Sequence, residues 1–256
     1  MVAAFGLLLR NYISHNKKSK EVKAEDSLTK AESSSVQGVI HESAKNISKV
    51  VKRTNKIYSN TIDGLAKQEL SLLKKSKNQV VKLSDEIDDL RDNITYFIKN
   101  LDASSLQASG FYINILGYLQ DMSQSLEYIS KISYRHINNN HKQLKSGQIK
   151  ELKEIVDKLE VLFSDIEKAF KSESFEEIGV ILNEKKMVYN LLNEKIEKQI
   201  ERTRSEESSP KNTTLHFGLL LETKDLVDAT MNLLEEYHNS FDSSIEPATI
   251  SVSKEN

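Results

Sequence analysis

Between Gln68 and Leu101 the chain reads QELSLLKKSKNQVVKLSDEIDDLRDNITYFIKNL, without glycine or proline. Apolar residues step by seven from Leu73 to Val80, then by three and four alternately through Leu83, Ile87, Leu90, Ile94, Phe97 and Leu101. That spacing predicts one continuous helix with a coiled-coil-like seam, about 50 Å long at 1.5 Å per residue. A single apolar stripe flanked by charge must pack along its length against other long helices, and the same period supplies them. Before it, Val36 to Leu65 carries Val36, Ile40, Ile47, Val50, Ile57, Ile62 and Leu65, with Gly64 and Lys67 as a weak stop. After it, Asp102, Ser104 and Ser105 offer an N-cap for a third helix running to about His141 on Leu116, Leu119, Met122, Leu126, Ile129 and Ile132. HINNNHKQLKSG then breaks the pattern.

The plan repeats. A fourth helix, Gln148 to Lys171, alternates through Leu152, Ile155, Leu159, Leu162, Ile166 and Ala169. A fifth, Phe175 to Ser205, is read on Ile178, Leu182, Val188, Leu192, Ile196 and Ile200. SEESSPKNTT reads as a turn, and a sixth helix follows from Thr214 to Phe241 on Leu219, Leu226, Leu233 and Tyr237. The halves share local text: LSDEID from Leu83 aligns with LNEKIE from Leu192, and YLQDM from Tyr118 with LETKDL, so that Asp121 meets Asp225. The expectation is an all-α chain, a tandem repeat of two antiparallel three-helix bundles over 36–146 and 147–243, with a polar linker at 17–35 and a polar tail at 244–256. Independent repeats would let Gln148 to Phe241 fold alone.

Composition agrees with long helices: 38% apolar and 29% charged residues, with only 8 Gly and 2 Pro in 256. The chain has no cysteine, which removes disulfides, cysteine zinc sites, iron–sulfur clusters and thiol nucleophiles. A net charge of -2 gives no global attraction to nucleic acid. Residues 2–9, VAAFGLLL, are far short of the roughly 20 that a membrane span needs. Basic residues follow the apolar run, from Arg10 to Lys17, Lys18, Lys20 and Lys23, where a secretory signal would place them first. Phe5, Leu7, Leu8, Leu9 and Arg10 therefore read as the end of a transmembrane helix over 1–16 with its basic cytoplasmic exit. The alternative is a short amphipathic start packed on the helical body.

Candidate chemistry is sparse. Asp85, Glu86, Asp88 and Asp89 place two or three carboxylates on one helical face, the way bundles present ligands to divalent metals. Lys82 and Arg91 also make this an ordinary solvated charge run. Glu222, Asp225 and Asp228 step by three in the second half. The six histidines show no Glu-x-x-His or His-Glu-x-x-His pattern, and there is no glycine-rich phosphate loop or nucleophile elbow. No enzymatic activity is expected.

KLSDEIDDLRDNI resembles the second helix, and INILGYLQDMSQSLEYISKIS the third, of the PhoU family, and the likeness covers about Val36 to Phe241. The resemblance implies a non-enzymatic regulator of inorganic phosphate uptake that docks on a transporter, and in many members a multinuclear metal cluster on surface carboxylates. Asp85, Asp88, Asp121 and Asp225 would be the metal candidates here. The motif is incomplete, however: the family places a second acid four residues after the first, where this chain has Ser125 and Ala229. No cofactor is therefore expected. PhoU-like domains also form the cytosolic carboxy-terminal part of some sodium/phosphate cotransporters and phosphate permeases. With residues 1–16 ending a span, the chain resembles such a part, with its body in the cytosol at the inner (cytoplasmic) membrane and the transmembrane part of the transporter, or a second copy, as partner. A free-standing PhoU-like regulator that binds a transporter or sensor kinase, a metal-binding bundle and a generic coiled-coil scaffold are the alternatives.

Overall fold

The computed structural model describes residues 35–92, 94–99, 106–205 and 207–245, together with Leu28 and Ser33. The expected membrane-helix end at 1–16, most of the linker, the candidate caps Asp102, Ser104 and Ser105 and the end of the tail lie outside the described residues. Among those described there is no strand.

Helix α1 (Val36–Lys67) starts where Ser35, in extended conformation, accepts the Gly38 N–H at 3.1 Å. It ends in a Schellman turn: Glu69 N–H reaches Gly64 O at 2.8 Å and Gln68 N–H reaches Leu65 O at 3.3 Å, with Gln68 left-handed at φ 55. Gly64 is thus inside α1, and its role is steric. A Cβ there would meet the Leu73 side chain at 3.0 Å, so the glycine lets α2 (Leu70–Asp92) fold back closely. The seam read from the sequence is buried along α2 at Leu73, Val80, Leu83, Ile87 and Leu90. Of the stretch expected as one helix to Leu101, α2 and a short α3 (Ile94–Lys99) are described, while residues 93, 100 and 101 lie outside the described residues.

Helix α4 (Leu106–Asn138) closes with a second Schellman turn, Asn140 at φ 53, and α5 (Ser146–Lys171) with a left-handed Glu173 at φ 55. The fifth expected helix is broken. A 3₁₀ turn (Phe175–Glu177) leads into α6 (Ile178–Leu182), then α7 (Lys185–Arg204). A Cβ on Gly179 would lie 2.9 Å from the His238 ring, so α6 presses close to the last helix. That helix, α8 (Pro210–Ser240), starts four residues earlier than expected. Ser209 caps it and Pro210 occupies its first position, where a missing N–H costs nothing.

Helices α1, α2 and α4 pack on one another, and α7 packs on α5 and α8. The widest contacts cross between the halves, α4 against α8 and α1 against α5. One continuous apolar cluster therefore runs from Val39 in α1 to Tyr237 in α8. Tyr237 is its anchor: its ring meets Phe111 edge-on at 5.1 Å and Phe170 at 4.7 Å, and its hydroxyl hydrogen-bonds Ser43 at 2.5 Å. Tyr58 of α1 hydrogen-bonds Thr223 of α8 at 2.9 Å in the same core. Buried Thr61, Thr223 and Thr230 donate to carbonyls four residues back, so these core hydroxyls are satisfied within their own helices.

Candidate functional site

The acids picked out from the sequence fall into two places. On α2, Asp85 is exposed and Asp88 pairs locally with Arg91 at 3.4 Å. Between them Glu86 takes a two-point hydrogen bond from Arg53 of α1, at 2.7 and 3.1 Å. That carboxylate fastens α2 to α1 in a fork geometry that gives a directional pair.

The second place is the seam of α4 and α8. Asp121 of α4 and Asp225 of α8 both face solvent. Around Asp121, the Tyr118 hydroxyl is held above its usual range by burial and by the carboxylates of Glu236, Glu235 and Asp121. Asn114 donates to Glu236 at 3.3 Å, and Lys185 of α7 reaches Glu235 at 2.8 Å. Further along, Glu222 is pushed up by burial, with a Ser125 hydrogen bond opposing and Asp225 adding to the rise. Asp228 is raised by burial against the pull of Lys185. Two long helices thus line up an acidic strip in which burial, with Asp225 adding to it, raises the proton affinity of Glu222. Asp85 and Asp88 stay on α2, which packs on α1 and α4. Among the described residues, no group of three or more His, Asp and Glu is placed to hold a metal ion.

The sequence reading missed a buried polar cluster in the second half. Arg202 of α7 donates to Glu151 of α5 and to Gln199, both at 2.6 Å, and Gln148 of α5 donates to Gln199 at 3.0 Å. His216 of α8 closes the group with no exposed surface, its Nε2 3.6 Å from Glu151. Neither ring nitrogen makes a hydrogen bond of ordinary geometry. Burial, then the Arg202 charge, pushes the imidazole down to about 4, with the Gln148 backbone opposing, so it is neutral near pH 7. One turn along α7, Lys195 is only 3% exposed and donates to Glu154 at 2.5 Å and Glu194 at 3.2 Å. These side chains occupy the inward face of α7, whereas Ile200, read as part of its seam, is 45% exposed. The signal was present in the spacing Leu192, Lys195, Gln199, Arg202, which is helical but polar.

No family model matches the chain, and comparison with curated protein sequences returns no match. Comparison with solved structures does. The fold is similar to the phosphate transport system regulatory protein PhoU from Streptococcus pneumoniae, with a TM-score of 0.63 and 13% sequence identity over 78% of this chain and 94% of that one. At that identity the likeness is one of fold: this chain carries a PhoU-like, all-α helical domain.

Proposed function

We propose that this chain regulates inorganic phosphate transport by docking, without a reaction of its own. The observation that carries this reading is the chain-wide likeness of fold to a phosphate transport system regulatory protein. The two three-helix halves are taken as repeats, pressed face to face, with their outer surfaces left for partners. The acidic strip of Asp121, Glu235, Glu236, Glu222 and Asp225 suits a membrane partner, because the cytoplasmic loops of membrane proteins are rich in Lys and Arg. The leading form is a cytosolic domain of a phosphate permease at the inner membrane, joined to it through residues 1–16. The second form is a free-standing PhoU-like regulator that binds a transporter or sensor kinase, and the likeness of fold suits both forms equally.

Phosphate uptake by the native cells, with the gene deleted and then restored, tests the reading. Deletion should change uptake on shifting between phosphate-poor and phosphate-rich medium. A restored copy with Asp121, Asp225, Glu235 and Glu236 changed to Asn or Gln should restore it only in part. Uptake unaffected by deletion in both media would overturn the proposal. Sedimentation with liposomes separates the two forms: the full chain should pellet and a chain lacking residues 1–16 should not if the body is tethered.

A further inference from the structure

We infer that the groove between the carboxy end of α4 and the first turn of α8 binds a small phosphate-type oxyanion, held by Arg135, His141 and Lys211. The groove has a volume of about 260 Å³, and none of its lining residues is a carboxylate. Arg135 and His141 enter it from α4 and the turn after it, and Lys211 from α8. Among the described residues, neither the Arg135 nor the Lys211 side chain makes an ion pair or hydrogen bond, whereas Arg53, Arg91 and Arg202 are each paired with a carboxylate.

Two features make this more than a pair of solvated cations. The first is that His141 is fixed. The left-handed Asn140 closes α4 with Asn140 N–H to Ile137 O at 2.9 Å and His141 N–H to His136 O at 3.1 Å. That turn sets the His141 ring 5.2 Å from His136, tilted at 56°, and the His136 Nε2 donates to Lys142 O at 2.9 Å. His136 therefore positions its neighbour, and His141 keeps an N–H to offer in its neutral form.

The second is that Lys211 stands in the wrong place for stability. It lies in the first turn of α8, with no acidic residue in that turn. A cation there opposes the partial positive charge of the helix end, and Arg135, in the last turn of α4, adds a second positive group to the same groove. A local rule broken without visible compensation is expected at functional positions. An anion seated between the two cations supplies the missing negative charge, and Asn139 and Tyr128 line the remaining wall. The groove is too small for a folded partner. Its chemistry suits a phosphate group, either free or on a small ester.

The site does not depend on the transporter reading, since binding is measured on the purified chain. Equilibrium dialysis of the full chain against radiolabelled inorganic phosphate at constant ionic strength is the test, with unlabelled phosphate and a nucleoside monophosphate as competitors. Saturable binding is expected. Arg135→Gln with Lys211→Gln should weaken it by about ten-fold for each cation removed, while Lys153→Gln, an exposed lysine on α5, should leave it unchanged. Lys211→Glu puts a carboxylate at the positive helix end, so it should melt no lower than the parent chain and yet bind nothing. Stronger competition by the nucleotide would identify an ester as the source of the phosphate. No saturable binding of either species, or binding that survives the double change, overturns the site.

Discussion

At the scale of single residues, the most unusual side chain is His216, sealed between Glu151, Arg202 and the apolar core. Its folded pKa of about 4 lies below the ordinary 6.5 of a histidine. Between those values the unfolded chain takes up a proton that the folded chain does not. Stability should therefore fall as pH drops from about 6.5 towards 4, and level off below, by up to about 3 kcal/mol. Urea unfolding of the parent and of His216→Leu across that window checks this, and the variant should show a flatter slope. Equal slopes would mean that the imidazole is charged or solvated in the native state. Sequence spacing places His216 on α8, but its burial comes from Glu151 and Arg202, which are 65 and 14 residues away.

Individual elements show which local rules a reader can use and which mislead. α2 is legible because its apolar steps follow the helical period without competition. α7 is not. Its inward face carries Lys195, Gln199 and Arg202, satisfied by Glu154, Gln148 and Glu151 from α5. A reading that equates inward with apolar moves the seam to Ile200. Leu192→Ala should cost about 2–5 kcal/mol, because Leu192 is fully buried. Ile200→Ala should change stability by less than about 0.5 kcal/mol. A thermal melt of the two variants separates the two faces directly. The helix ends tell a similar story. Gln68, Asn140 and Glu173 take left-handed turns usually given to glycine. Gln68 is exposed there, so Gln68→Gly should raise stability by about 0.5–1 kcal/mol through relief of that strain, read as a higher urea midpoint. A lower midpoint would show that the Gln68 side chain contributes a contact of its own.

For the whole molecule, the decisive fact is that the core does not divide at the midpoint. α4 lies on α8 and α1 on α5, and Tyr58 and Tyr237 cross between the halves to Thr223 and Ser43. A half alone would expose an entire apolar face to water. The full chain should therefore unfold in a single calorimetric transition with equal calorimetric and van't Hoff enthalpies. A fragment of residues 147–243 should be poorly helical or should associate. Two resolved transitions, or a stable monomeric half, would show that the halves carry separate cores. This departs from the independent halves that a repeat in the sequence suggests, and the reason is where the apolar surface lies.

The amino-acid sequence by itself determined that this protein is built from long amphipathic helices, because the 3.6-residue period is a local property. Leu83, Ile87 and Leu90 identify their helix whatever it packs against. It also supplied the resemblance to PhoU in the second and third helices, whose fold the solved structure shares. Tertiary structure alone decided the rest. It put Tyr118, one turn from Asp121, under the charge of Glu235 and Glu236, more than a hundred residues later in the chain, and left Asp85 and Asp88 on another helix. It buried Lys195 and exposed Ile200. It also brought Arg135 and Lys211 to the two sides of one groove. Burial and charge pairing depend on partners distant in sequence, and no local period encodes them.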